Sequence, residues 1–555
     1  MVFRLAFIAL FIIAGYTRVL FQLYDLQLVE GNQFLVRAGS EYLALRFLRA
    51  NRGAIYFTDK DGNLLPAVLN KEFPLVYAVP SAIDDAEETA NLLAPILERP
   101  VAELIAAFSN KEDKYEPLVR KAEPELADEI SALRIKGIYV EGEPGRFYPL
   151  DSHAAHALGF VSPKSDDIGD IGQYGLESFY EELLRGYHGE IIDGEIVRPT
   201  AGKDLVLTID PNIEIEAEKI LGNLVHDWKA SGGSIIVMDP NTGKILAMAS
   251  APNFDPNNYS KFPVGNFLNP VTQEIYEPGS VFKVITMAIG IDTGKITPDT
   301  TYYDSGSVTL NGWTIKNYDL DKHGPYGRVT MTNVIEHSIN TGAVFAEREI
   351  GRDLFTEYLH NFGFSAKTGI DLPSELPGDL GRLNPKERDV VFATASYGQG
   401  VAVTPIGLIN AMAAIANGGV LVKPYLNAAI EPEIVQRIVS VGTAQKTSQM
   451  MVSAVDNAGV AKIKGYAIAG KTGTAFVPDF QYGGYTEKVI NTYVGFGPAC
   501  TEVAAGKPVC DPKFITLIKL DEPEGAPVAA LTVVPAFRDL AQFILNYYDV
   551  PPDRL

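Results

Sequence analysis

The chain has 555 residues, 46% of them hydrophobic and 21% charged, with a formal net charge of −22. That length exceeds what one hydrophobic core organises, so two or more domains are expected, and the composition is that of a globular chain. The negative charge argues against nucleic acid as a partner, since phosphate binding relies on clustered Lys and Arg. The 2 cysteines and 7 scattered histidines give no zinc-ligand spacing, and neither a G-x-G-x-x-G nor a Walker loop occurs, so no metal, nucleotide or other cofactor is expected.

In chain order, the apolar run Leu5–Tyr24 is long enough to cross about 30 Å of hydrocarbon as a helix, with Arg18 snorkelling to a head-group layer. Residues 1–24 are therefore predicted to be a single transmembrane anchor. The competing reading is a cleaved signal peptide with Arg4 as its charged end and Leu5–Ala14 as its apolar core, but no A-x-A-like site follows. Arg4 and the amino terminus place the short tail in the cytoplasm and the rest of the chain outside, with Arg18 counting against that orientation.

Residues 25–201 have a mixed pattern, with strand-like pieces such as "RGAIYFTDKDGNLL" and an Ala/Glu/Leu helix over 85–108, and are predicted to form an irregular α+β region. A second domain is predicted over 202–555. It opens with an alternating strand at Asp204–Ile209 and an amphipathic helix from Pro211. "GGSIIVMDPNTGKILAMAS" reads as a hairpin around Pro240, Asn241 and Gly243. Helical patterns dominate from Val281 to Asn417. Strands return in "YAIAGKTGTAFV", "NTYVGFGPA" and "KFITLIKL", before a last helix near Arg538–Tyr547. The order predicts an α+β fold whose sheet is assembled from both ends of the second domain, with a helical lobe between them.

Three polar clusters interrupt this apolar framework. In "YEPGSVFKVITMA", Ser280 precedes Lys283 by one helical turn, so the amine can reach the hydroxyl; the alternative is an ordinary helix cap. In "EHSINTGAVFA", a tight turn would direct Ser338 and Asn340 the same way. In "AIAGKTGTAFV", Lys471, Thr472, Gly473 and Thr474 lie on a strand, where Gly473 would let a substrate backbone lie close. Acyl transfer needs an activated hydroxyl, a proton path to the leaving amine, N–H donors for an oxyanion and a cation for a substrate carboxylate. These residues meet all of those needs but the N–H donors, which fall to the backbone. A second K-T-G triplet, Lys367-Thr368-Gly369, follows a helical pattern and precedes the acidic Asp371.

S-x-x-K, S-x-N and K-T-G in this order resemble the penicillin-recognising serine transferases. "ILAMASAPNFDPN", "FGFSAKTGIDLPSE", "ASYGQGVAVTP" and "VPAFRD" resemble the transpeptidase domain of class B, monofunctional penicillin-binding proteins. "NRGAIYFTDKDG", "GRFYPLDSHAAHALGFV" and "YGLESFYEELLRG" resemble that class's N-terminal pedestal, or dimerisation-type, domain. The resemblance implies a peptidoglycan D,D-transpeptidase at the cell membrane, with its catalytic domain outside the cytoplasm. Ser280 would be acylated by the D-Ala-D-Ala stem peptide, with Lys283 as base and Ser338 and Asn340 relaying protons and holding the substrate amide. Lys471 and Thr472 would engage the terminal carboxylate, and the backbone N–H groups of Ser280 and Thr474 would form the oxyanion hole. β-Lactams would stall at the acyl stage. A SEDS-family glycosyltransferase and other division or elongation proteins are the implied partners, and the compact length leans toward division.

A D,D-carboxypeptidase would use the same residues with water as acceptor. A β-lactamase or sensor is a further alternative, although class D lactamases carry S-x-V where this chain has Ser338-Ile339-Asn340. A non-catalytic scaffold is opposed by the intact Ser280, Lys283 and Lys471. Finally, Cys500 and Cys510 close a loop between two strand patterns, Thr492–Gly497 and Phe514–Leu520. Outside the cytoplasm they are expected to form a disulfide, with two free thiols as the alternative.

Overall fold

The computed structural model describes residue 18 and residues 48–554, apart from 114, 164–168, 193–194, 480, 500–502, 505–506, 509–510 and 526. Apart from residue 18, the expected anchor lies outside the described residues, as does the Cys500–Cys510 pair, and among the described residues no helix is long and apolar enough to cross a membrane.

The first region opens with a hairpin, β1 (Ile55–Thr58) and β2 (Leu64–Ala78), whose first strand and turn fall in the strand-like "RGAIYFTDKDGNLL". Asp59 builds its turn by accepting the amides of Asp61 and Asn63. The far end of β2 pairs with β3 (Glu116–Val119) and β4 (Ile138–Phe147). The single helix predicted over 85–108 is instead two, α1 (Ala86–Leu97) and α2 (Val101–Ser109). Glu98 turns left-handed at φ 52°, and Pro100, which has no amide to continue the ladder, opens the second helix. Leu93, Leu104 and Phe108 pack against Val76 of β2 in a small core of their own.

The strand expected at Asp204–Ile209 is regular only over β5 (Leu205–Val206), which runs parallel to β1. The rest of that segment joins both regions. Thr58 donates its amide to Ile209 at 3.1 Å, and Thr208 donates to Leu426 at 2.7 Å.

In the second region α3 (Pro211–Asp227) starts where predicted, with Pro211 in its first turn and the Asp210 carboxylate accepting the Asn212 and Ile213 amides. β6 (Gly232–Met238) and β7 (Ile245–Ala251) form the expected hairpin. The central helix α4 (Phe282–Asp292) is buried on all sides from Phe282 to Ile291, which is why its sequence is apolar without a polar stripe. The block read as helical also contains a hairpin, β8 (Ser307–Leu310) and β9 (Trp313–Lys316), turning at Asn311-Gly312 with both residues at positive φ. Helices α5 (Asn340–Ile350), α6 (Asp389–Ala395), α7 (Pro405–Ala416) and α8 (Val441–Ala458) are among the others that build the lobe.

Strands β10 (Ala469–Pro478), β11 (Tyr485–Gly497) and β12 (Phe514–Asp521) then return to the sheet, whose antiparallel order is β7-β6-β12-β11-β10. The expected assembly from both ends is therefore present. Helix α9 (Val533–Tyr547) begins five residues before the expected Arg538, because Pro535 is tolerated in a first turn whose amides have no intrahelical partner. It packs with α3 on one face of the sheet, around Phe537, Ile213 and Ile518. α4 and the lobe cover the other face, in a core that continues without a break into Ile55, Phe57 and Leu184 of the first region.

Candidate active site

The end of β10 and the lobe enclose a groove of about 830 Å3, and Ser280, Ser338, Asn340, Thr472 and Thr474 all line it. Ser280 sits in a 3-10 turn, Gly279–Val281, immediately before α4. Gly279 adopts φ 57°, and its amide donates to the Gly398 carbonyl at 3.1 Å. A Cβ on Gly398 would come within 2.3 Å of the Gly279 oxygen, so the Tyr397–Gly400 loop braces the nucleophile turn by direct backbone contact. The helix-cap alternative for Ser280 does not hold. The cap positions are Pro278 and Val281, and neither has a side-chain cap.

Lys283 is fully buried one turn along. Its Nζ donates to the Ser338 carbonyl at 2.5 Å and contacts Ser338 Oγ at 3.2 Å. The amine is thus held by Ser338, and no hydrogen bond joins it to Ser280. Burial first, and the neighbouring Lys471 second, hold its pKa well below the ordinary lysine range, which favours the unprotonated amine that a general base needs.

Ser338 occupies the tight turn before α5 in the left-handed region, φ 55°. Its Oγ also accepts from Lys471 Nζ at 2.9 Å, which makes this hydroxyl the junction between two amines. The remaining Lys471 bonds go to Thr472, to the carbonyl at 3.1 Å and to Oγ1 at 3.3 Å. Burial brings Lys471 down to about 7, so near neutrality it can gain or lose its charge readily. Asn340 donates Nδ2 to the Lys316 carbonyl at 2.8 Å, tying α5 to β9.

Thr472 and Thr474 face the groove on alternate positions of β10, whereas Gly473 faces inward. A Cβ on Gly473 would meet the Pro278 oxygen at 2.6 Å and Val281 Cγ2 at 3.0 Å. The expectation that Gly473 makes room for a substrate backbone is therefore corrected: glycine is required by the nucleophile turn packed beneath the strand. The same packing sets Thr474 against Gly279, whose Cβ would lie 3.1 Å from the Thr474 oxygen. The amides of Ser280 and Thr474 thus belong to two segments in contact, as a pair of oxyanion donors must.

Lys367 is exposed and outside the groove. Its triplet is a loop organised by Glu375, which accepts from Thr368 N, Thr368 Oγ1 and Gly369 N at 2.6, 2.6 and 3.0 Å. The adjoining Asp371 is structural too, accepting the Leu426 and Asn427 amides and, from the first region, the Tyr180 hydroxyl at 2.8 Å.

Sequence reasoning missed two parts of the groove and one residue beside it. The β8–β9 hairpin forms one wall, although Asn311-Gly312 signals it. Glu277, next to the nucleophile turn, accepts from Gly400 N and Tyr485 Oη, each at 2.9 Å, and so joins that turn, its bracing loop and β11. Burial raises its pKa. Arg382 and Arg388 also line the groove, and no local pattern marks them.

A serine hydroxyl at a helix start, two buried amines sharing a second hydroxyl, and two backbone segments in contact at the groove are the materials an acyl-transfer site needs. Comparison with known proteins agrees. Residues 233–511 match the penicillin binding protein transpeptidase domain, and residues 47–197 match the penicillin-binding protein dimerisation domain. Stage V sporulation protein D of Bacillus subtilis is 30% identical, over 94% of this chain and 82% of its own. The peptidoglycan D,D-transpeptidase FtsI of Escherichia coli is 27% identical, over 96% of this chain and 89% of its own. Penicillin-binding protein 2X of Streptococcus thermophilus shares the fold at 22% identity and a TM-score of 0.70, over 91% of this chain and 81% of that one.

Proposed function

Because the chain belongs to the penicillin-binding protein transpeptidases, we propose that Ser280 is the nucleophile of a peptidoglycan D,D-transpeptidase that β-lactams inhibit. The observation that carries this reading is the Ser338 hydroxyl shared between Lys283 and Lys471 beside Ser280 in one groove.

The stem peptide places its terminal carboxylate against Lys471 and Thr472. Ser280 Oγ attacks the carbonyl of the penultimate D-alanine and passes its proton to the neutral Lys283 amine. The backbone amides of Ser280 and Thr474 receive the oxyanion. As the C–N bond breaks, the departing D-alanine nitrogen takes a proton from Lys283 through Ser338 Oγ, which leaves an ester on Ser280. The amine of a second strand attacks that ester, surrenders its proton to Lys283, and the proton returns to Ser280 as the cross-link forms. A β-lactam follows the first half of this path, but its leaving nitrogen stays tethered in the groove.

Around this chemistry we place a single-pass anchor at residues 1–24 with both later domains outside the cytoplasm, a role in the septal wall, and a SEDS-family polymerase supplying glycan strands. The apolar run Leu5–Tyr24 supports the anchor.

The test supplies wild type and Ser280→Ala with labelled lipid-linked precursor and a polymerase, and scores cross-links against released D-alanine. Cross-links are expected in wild type alone. Release of D-alanine without cross-links would make the protein a carboxypeptidase, and cross-links made by Ser280→Ala would move the nucleophile elsewhere.

A further inference from the structure

Two arginines in the groove have no part in the chemistry above. Arg382 and Arg388 are exposed and line the same cavity as Ser280. Among the described residues neither forms an ion pair or a side-chain hydrogen bond. In a chain of net charge −22 carboxylate partners are plentiful: the neighbouring Asp389 pairs with Arg352, and Arg538 pairs with Asp539. Arg382 favours the ionised form of Glu277, yet both Glu277 oxygens are already engaged, by Gly400 N and Tyr485 Oη. Arg388 stands at the start of α6, whose Val390, Val391 and Thr394 line the same wall. The groove's acids, Asp319 and Asp321, follow β9, and Asp319 accepts from the Tyr326 hydroxyl.

The strand direction says which part of a substrate meets this basic rim. With its terminal carboxylate at Lys471 and Thr472, a peptide laid along β10 runs past Thr474 toward Phe476 and Tyr485, both on the groove wall. Tyr485 is the residue that contacts Glu277, which Arg382 faces. The upstream residues of a bound stem therefore arrive beside Tyr485 and Arg382, with Arg388 on the α6 wall of the same groove. A guanidinium fork matches a carboxylate in two parallel bonds and a carboxamide poorly, because the amide presents N–H donors to a group that has only donors.

We propose that Arg382 and Arg388 form a specificity subsite for a free carboxylate carried by the donor stem upstream of its D-Ala-D-Ala end. The subsite selects the acidic form of that residue over its amidated form. This inference rests on the transpeptidase reading.

The test uses two synthetic donor peptides ending in D-Ala-D-Ala that differ only by a carboxylate or a carboxamide on the upstream side chain. Acyl-enzyme formation on the full chain is followed by intact mass. Wild type is expected to acylate about tenfold or more faster with the carboxylate, as charge-assisted pairing implies, and the R382Q/R388Q double variant to bring the ratio within about twofold of unity. Taking the ratio within each variant cancels any general loss from imperfect folding, which thermal melting monitors separately. Equal rates in wild type, or a preference that survives the double variant, would overturn the subsite alone. Acylation by neither peptide in wild type would overturn the transpeptidase reading, and the subsite with it.

Discussion

Replacing Ser338 by alanine and, separately, by glycine separates the hydroxyl's role in catalysis from its contribution to stability. Alanine removes the Oγ that contacts Lys283 Nζ at 3.2 Å and Lys471 Nζ at 2.9 Å. Each amine keeps another acceptor, the Ser338 carbonyl for Lys283 and Thr472 for Lys471, so neither is left orphaned. The loss is then about 1–2 kcal/mol, roughly one ordinary net hydrogen bond per amine. Glycine loses the same bonds but relieves an L-residue held at φ 55°, which is worth about 1–2 kcal/mol less its own chain-entropy cost of roughly 0.5–1 kcal/mol. The glycine variant should therefore melt closer to wild type than the alanine variant, which falls by roughly 1–3 °C in a cooperative block of this size. Catalysis should not follow this order. Both variants lose the proton junction, and stopped-flow acylation by a fluorescent penicillin should slow by about 10²–10⁴-fold in each. Acylation within tenfold of wild type in either variant would refute the role given to Ser338.

Three further outcomes are expected. The second-order rate of acylation should fall as pH rises through about 7, because Lys471 sheds the charge that receives the substrate carboxylate, and K471R should move that limb upward; an unmoved limb would assign it to another group. The same depression acts on stability with a definite sign. Between about 7 and the ordinary 10.5 the unfolded chain binds more protons at this lysine, so the Lys471 contribution to stability grows with pH across that window, and K471M should flatten the corresponding part of the melting profile. Gly473→Ala drives a Cβ to within 2.6 Å of the Pro278 oxygen, a backbone atom that can yield only by shifting the nucleophile turn, and should slow acylation about 10²-fold; Lys367→Ala, outside the groove, should leave it within about threefold.

How much of this was legible in the sequence depends on how local each signal is. Ser280 and Lys283 announce themselves because one helical turn links them, and the sheet strands because their apolar runs are short and punctuated by turns. The β8–β9 hairpin carried an equally local signal, Asn311-Gly312 between strand-like residues, but it was submerged in a helical reading of its surroundings. The division of the 85–108 helix was signalled by Pro100 and likewise passed over. Other features had no local trace. Lys283 finds its partner 55 residues away in Ser338, and Glu277 meets Tyr485 across 208 residues, distances that only the closed sheet brings together. Gly473 was read for the correct property, the lack of a side chain, and the wrong neighbour. Which face of β10 it occupies depends on the packing of a turn nearly two hundred residues earlier.

The segment between the two regions has a bearing on how the molecule comes apart. Leu205–Val206 lies beside β1, Ile209 receives the Thr58 amide, Thr208 reaches Leu426, and the Tyr180 hydroxyl is fastened to Asp371. A tether of this kind is not a swivel, since peeling it from either side breaks backbone pairing and opens a core that runs continuously from Ile55 to Leu517. The second region and the adjoining β1 end of the first therefore melt as one cooperative block in calorimetry. A load applied to that end of the first region is carried into the floor of the groove instead of being absorbed at a hinge.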